Sequence, residues 1–295
     1  ASSARNSQAV WEGTRGLAAD VEAYGQWMRD EAERRIGHLY PDATLEGGSR
    51  STPIAWIWAR TVKSPDPAWP EQVPLVRSWE LSKRVGKPSV WVEPIIDRAS
   101  KSISYVVRRG GAAPEGNVNR QGAVCIATGA PIPFSYIRAE AQADRMGSQL
   151  IAVVAEGKGG RAYASPHESD LVVVPQVVDG RISGSIFDWP GRMNVVRYGL
   201  DEWSKLFAPR QLLALTTFSD LLSEVRALIE SDAEKCGLRR DGRRLRDGGT
   251  GVEAYADAVV TYLAFVVDKC ADYWSSICSW HNSKEQIRNT FGRQA

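Results

Sequence analysis

Ile54-Ala55-Trp56-Ile57-Trp58-Ala59-Arg60 is the stretch that decides the architecture. A short run of β-branched and aromatic residues suits a pleated surface, and it is too short for a core helix. Similar runs lie downstream at Val73–Leu81, Val90–Ile96, Ile103–Arg109, Ala123–Ala127, Phe134–Arg138 and Leu150–Ala155. Pro, Gly and Asp clusters separate them, as at Gly110–Gly116, which predicts antiparallel strands joined by turns. Gly47-Gly48-Ser49 is a loop leading into this region, and Glu156-Gly157-Lys158-Gly159-Gly160 is a turn closing it. Trp56, Trp58, Trp79 and Trp91 lie among Val and Ile in these runs, and most of the eleven Trp are expected in the core.

Helical periodicity flanks the strands on both sides. Leu17, Val21, Tyr24, Trp27, Met28 and Ile36 recur at helical spacing over residues 15–38, and Pro41 ends that pattern. In the last third Pro209 suits a first helical position, and a helix runs to about Ile229 through Leu212, Leu213, Leu222, Val225 and Leu228. A loop over 236–251 separates it from a second helix over 252–278, with Val252, Tyr255, Val259, Leu263, Val266, Cys270, Trp274 and Ile277 on one stripe. Ser283-Lys284-Glu285-Gln286 has the spacing of a capping box and predicts a short terminal helix. The expected fold class is α+β: a helical lead-in at 1–50, a strand-rich insertion at 51–165 and an α-rich segment at 166–295.

Composition narrows the function classes. The 37 basic and 35 acidic residues leave a net charge of +2, so nucleic-acid binding would need a local patch. Of the basic residues 28 are Arg, the side chain suited to bidentate phosphate or carboxylate contacts. Four Cys in 295 residues do not make a disulfide scaffold, which predicts a reducing, cytoplasmic setting. The longest apolar stretch, Val259–Val267 between Asp257 and Asp268, is too short to span a membrane, so no membrane partner is expected. The opening residues 1–13 have no apolar core, so no secretory leader is expected.

Specific motifs carry the argument further. Leu206-Phe207-Ala208-Pro209-Arg210-Gln211-Leu212-Leu213-Ala214-Leu215-Thr216-Thr217-Phe218 and Ile287-Arg288-Asn289-Thr290-Phe291-Gly292-Arg293-Gln294-Ala295 resemble signatures of one family. Trp58-Ala59-Arg60-Thr61-Val62 and Tyr136-Ile137-Arg138-Ala139-Glu140 resemble it in the same order. The family is that of the large bacterial adenine-specific DNA methylases of the DUF1156 type, which contain a zinc ribbon. The resemblance implies the interior of a larger Rossmann-type methyltransferase that moves a methyl group from S-adenosylmethionine to adenine N6. Such chemistry needs a base flipped out of the stack. The implied partners are double-stranded DNA and the remaining methyltransferase segments or a separate subunit. A non-catalytic DNA-recognition or scaffolding module working with a methylase is the alternative.

In that family the cofactor loop lies upstream and the catalytic Asp-Pro-Pro-Tyr motif downstream. This chain holds neither, so on its own it is expected to be inactive and to bind no S-adenosylmethionine. Asp66-Pro67-Ala68-Trp69 is the nearest match to the tetrapeptide, with Ala68 where the second Pro belongs, and reads as a Pro-rich turn. The resemblance places the four zinc ligands at Ser64, Trp69, Cys125 and Thr128, where one Cys remains. Structural zinc needs four enclosing Cys or His ligands, so a degenerate ribbon without zinc is expected, with Cys125 a small buried residue. Cys278 and His281 have the spacing of half a metal site with no second pair nearby. His38 and His167 are isolated. No nucleophile elbow and no phosphate-binding Gly-Lys-Ser/Thr loop occurs. One basic stretch stands out: Arg239, Arg240, Arg243, Arg244 and Arg246 in the Gly-rich inter-helix loop are the candidate DNA contacts, a solvated linker being the other reading.

Overall fold

The computed structural model describes residues 13–172, 174, 181–189 and 194–290. Along the chain the elements are α1 (Arg15–Ile36), β1 (Ala43–Thr44), β2 (Arg50–Ser51), β3 (Pro53–Lys63), β4 (Gln72–Leu75), β5 (Glu80–Ser82), β6 (Val90–Asp97) and β7 (Ser102–Arg109). There follow β8 (Gly122–Val124), β9 (Pro131–Pro133), α2 (Phe134–Gln142), β10 (Gly147–Gly157) and β11 (Gly160–Ala164). The chain closes with α3 (Pro209–Lys235), α4 (Val252–Tyr273), β12 (Ser279–His281) and β13 (Gln286–Arg288). The mixture of helix and strand is that of an α+β chain. Every strand pairing among the described residues is antiparallel. No described helix is long and apolar enough to cross a membrane.

Two compact units form, and neither is a continuous stretch of sequence. The segments 1–50, 51–165 and 166–295 are therefore regrouped: α1 joins α3 and α4, while the strands join residues 277–290.

The helical unit is built on α1, α3 and α4. Tyr24, Met28 and Ala32 of α1 meet Leu221, Val225 and Ile229 of α3 and Ala256, Val259 and Leu263 of α4 in one buried cluster. These positions recur at three- and four-residue steps, so each helix turns one apolar stripe inward. Pro209 is the first helical residue of α3, and the Gln211 side chain accepts from the Ala208 N–H at 2.7 Å, capping the helix start. α3 continues to Lys235, past the expected end near Ile229, because Ile229 and Ala233 are still buried. α4 stops at Tyr273, before the expected 278, and Val266 of its predicted apolar stripe stands exposed.

The strand unit holds a four-stranded sheet ordered β11-β10-β3-β4 and a three-stranded sheet ordered β5-β6-β7. Leu150–Ala155 of β10 is buried residue after residue, which explains its unbroken apolar sequence. One core gathers Trp79, Leu81, Val92, Tyr105, Ile151 and Val154; another gathers Val62, Trp69, Val73, Cys125, Ile132 and Ile137. Of the Trp residues only Trp69 and Trp79 are fully buried among the described ones; Trp58, Trp189 and Trp203 are exposed.

Three local expectations are corrected. Val73–Leu81 is two strands in different sheets, β4 and β5, with Asn117 at the break: its side chain accepts from Val76 N–H at 2.9 Å and donates to the Pro74 and Val124 carbonyls. Phe134–Arg138 is not a strand but the start of α2; the helix formers Ala139, Glu140, Ala141 and Gln142 carry it on, and Ile137 and Ala141 share its buried face. Ser283–Gln286 is not a helix start but the turn of the β12–β13 hairpin, with Glu285 at φ +52°. Its carboxylate is drawn into tertiary contacts and is not available to cap a helix.

Candidate functional site

The two turns that the resemblance marks as zinc knuckles converge. The first joins β3 to β4. Ser64 N–H donates to the Glu71 carbonyl at 3.0 Å, Asp66 N–H to Ser64 Oγ at 3.2 Å, and Trp69 N–H to the Asp66 carbonyl at 3.0 Å. The second joins β8 to β9, where Cys125 N–H donates to the Ala130 carbonyl and Gly129 N–H to the Cys125 carbonyl, both at 2.8 Å. Ala130 N–H reaches Thr128 Oγ1 at 3.3 Å.

Their side chains meet around Cys125, which is fully buried. Burial pushes its thiol pKa up. Hydrogen bonds from the Thr128 and Ser64 hydroxyls and from the Ala127 and Thr128 N–H groups outweigh that and bring it below the ordinary thiol range. Backbone N–H groups directed at a sulfur are what a thiolate ligand needs, so the turn keeps the shape of a thiolate cradle. Asp66 closes the network: the Ala68 N–H and the Thr128 hydroxyl hold its carboxyl below the usual carboxylate range.

Trp69 occupies the remaining position, buried with Val62, Val73, Cys125 and Ile132. Its indole N–H has no hydrogen-bond partner among the described residues, a penalty of about 1–3 kcal/mol that the packing of the large ring must offset. One thiol, two hydroxyls and an indole do not fit tetrahedral zinc, which takes four Cys, His or carboxylate ligands. Among the described residues no group of three or more His, Cys, Asp or Glu is placed to hold a metal ion.

Other expected motifs resolve as structure. Asp66-Pro67-Ala68-Trp69 is the first of these turns, with its carboxylate held by Ala68 N–H. Gly157 pairs with Gly160 across the β10–β11 hairpin. His281 Nδ1 lies 3.1 Å from Ser283 Oγ, and Cys278 Sγ lies 3.4 Å from Thr290 Oγ1, contacts that occupy both halves of the Cys278–His281 pair. Arg210 donates to the Leu39 carbonyl at 3.0 Å, tying the start of α3 to the end of the α1 region. Arg288 lies in β13 and Asn289 follows it, whereas Phe291, Gly292, Arg293 and Gln294 lie outside the described residues.

The basic loop is more committed than its sequence suggests. Arg240 pairs with Glu230, Glu234 and Glu253, and Arg244 Nε lies 2.7 Å from Asp257, which also binds Arg226 at 2.6 Å. Arg243 donates to the Asp247 carbonyl at 2.5 Å, and the Asp241 carboxylate accepts from the Thr250 and Gly251 N–H groups. Arg246, its side chain 84% exposed, lies 3.8 Å from Asp247. The Arg239 carbonyl accepts from Val252 N–H at the start of α4.

Two features escaped the sequence reading. Glu285 is 7% exposed and binds Ser82 and Tyr163 from distant strands and Arg84 just past β5. The Arg138 guanidinium lies over the rings of both Phe134 and Tyr198. The Phe134–Arg138 pair has the i, i+4 spacing of a helix, a signal hidden while the segment read as a strand. Glu285 had no local signal, because its partners lie more than a hundred residues away. No family model, curated protein or solved structure matches this chain.

Proposed function

We propose that this chain is the central region of an S-adenosylmethionine-dependent DNA adenine-N6 methyltransferase, in which it is a non-catalytic structural and DNA-contacting part. One observation carries the reading. Ser64, Trp69, Cys125 and Thr128, marked as ligand positions by resemblance and spread over the sequence, lie at the tips of two turns around one buried sulfur. A zinc ribbon has that geometry of two facing turns, and apolar packing around Trp69 takes the place of the metal. The family chemistry belongs to the segments that carry the cofactor and catalytic motifs. The expected surroundings are cytoplasmic, with duplex DNA and those segments as partners.

The test is methyl transfer from labelled S-adenosylmethionine to duplex DNA, comparing the protein from its complete reading frame with the 295-residue chain. Label at adenine N6 from the former and none from the latter is the expected result. Label transferred by the chain alone, or none from the whole protein, refutes the proposal.

A further inference from the structure

We propose that Arg138 binds a backbone phosphate of duplex DNA, an inference that rests on the DNA-contacting role above. Arg138 lies on α2, which leaves the second turn through β9 and is anchored by Ile137 in the same core as Cys125 and Trp69. Its guanidinium carbon lies over two aromatic rings, 5.8 Å from the Phe134 centroid and 5.6 Å from that of Tyr198, and both rings restrain it. Arg138 Nε is buried and without a hydrogen-bond partner, and the side chain has no carboxylate partner among the described residues.

Three acidic groups on these segments are already paired with other cations. Glu140 binds Arg145 through two contacts at 2.6 and 3.0 Å, while Asp144 and Asp201 share Lys205. The positive charge of Arg138 is thus left over. A guanidinium offers a planar fork of N–H donors that matches two oxygens of a phosphate.

The segment carrying Tyr198 also favours a nucleic acid over a carboxylate-bearing protein. It exposes Phe187 to 77% and Trp203 to 39%, and Ile186 N–H to Asp201 and Trp203 N–H to Gly184 hold the two stretches side by side. Exposed aromatic side chains on the segment that supplies Tyr198 suit sugars and bases next to a phosphate. In the basic loop, by contrast, Arg240 and Arg244 spend their charge on α3 and α4 carboxylates.

The experiment measures binding of a short fluorescein-labelled duplex to the full chain across a salt series, for wild type, Arg138→Gln and Arg138→Lys. Thermal melting of each variant reports on its folding. Arg138→Gln should weaken binding about tenfold and reduce the slope of log affinity against log salt by roughly 0.9. Arg138→Lys keeps the charge and loses the fork, so it should keep the slope and still bind more weakly. Should the Gln variant melt early, the Lys variant decides, by weaker binding at unchanged melting. Wild-type binding with both variants unaffected overturns the Arg138 site and leaves the DNA reading standing. Failure of the wild-type chain to bind duplex even at low salt removes the DNA contact and this site with it.

Discussion

Replacing Glu285 should loosen the β12–β13 hairpin from the strand unit. Its carboxylate accepts from Ser82 Oγ at 2.8 Å and from the Tyr163 hydroxyl at 3.1 Å, and Arg84 approaches at 3.3 Å. With Ala at this position two buried hydroxyls lose their acceptor, at about 1–3 kcal/mol each. Tyr163 recovers part of that by turning to the Leu81 carbonyl, which already lies 3.5 Å away. Arg84 is half exposed and is rehydrated at little cost. The sum is about 3 kcal/mol for Glu285→Ala. Gln keeps the volume and one acceptor oxygen, so Glu285→Gln should cost about 1 kcal/mol. Glu285→Gly should be about 1 kcal/mol better than Ala, because φ +52° strains any residue with a Cβ.

The same contact predicts a pH dependence. Burial pushes the Glu285 carboxyl pKa up, but the Ser82 and Tyr163 hydrogen bonds and Arg84 more than reverse it, leaving it below the ordinary value. A carboxyl depressed in the folded state stabilises above its unfolded pKa near 4.3 and loses that contribution as pH falls below it. The gap between wild type and Glu285→Gln should therefore be full at neutral pH and narrow below about pH 4. Urea unfolding followed by tryptophan fluorescence gives the free energies, and amide exchange at Ser279–His281 and Gln286–Arg288 reports on the hairpin itself. An Ala variant within about 0.5 kcal/mol of wild type, with hairpin exchange unchanged, would refute the reasoning.

Placing cysteine at Ser64, Trp69 and Thr128 together should create a site that retains about one zinc per chain after dialysis against a weak chelator, while the natural sequence retains far less. Elemental analysis decides, and a triple variant without zinc would mean that the two turns are not spaced for a metal. Asp257→Asn should destabilise the helical unit by about 1 kcal/mol at neutral pH, since it removes the charge that Arg244 and Arg226 share, leaves Arg226 with Glu230 alone, and keeps one oxygen for two arginines and the Leu245 N–H. Arg244 and Arg226 hold the Asp257 carboxyl well below its usual range, against the effect of burial. The difference between wild type and variant should thus persist in mild acid and disappear only well below pH 4 in a chemical-denaturation series. Gly199→Ala should cost more than about 2 kcal/mol in a thermal melt, because its φ is +74° and a Cβ would lie 2.2 Å from the Ala141 carbonyl oxygen.

Where a pattern depends on near neighbours, the sequence was enough. The amphipathic stripe of residues 15–38, the Pro209 start of α3 and the strands around Ile54–Arg60, Val90–Ile96 and Ile103–Arg109 all follow from residue spacing and from what Pro permits. The expectation that Cys125 is buried also survives, as its turn sits among apolar strand residues. Phe134–Arg138 was misread because five residues with aromatic and β-branched members suit either period; Ala139–Gln142 and the packing of Ile137 settled it as helix. Long-range matters were decided only by the tertiary structure. Asn117 splits Val73–Leu81 by bonding across to other strands, and Glu285 leaves its capping-box pattern for hydroxyls more than a hundred residues away. Charge behaves in the same way. The sequence shows five arginines in one loop, but whether each faces solvent or a carboxylate depends on which helices the fold brings alongside. Coulomb and hydrogen-bond energies act over a few ångströms of space and are indifferent to distance along the chain.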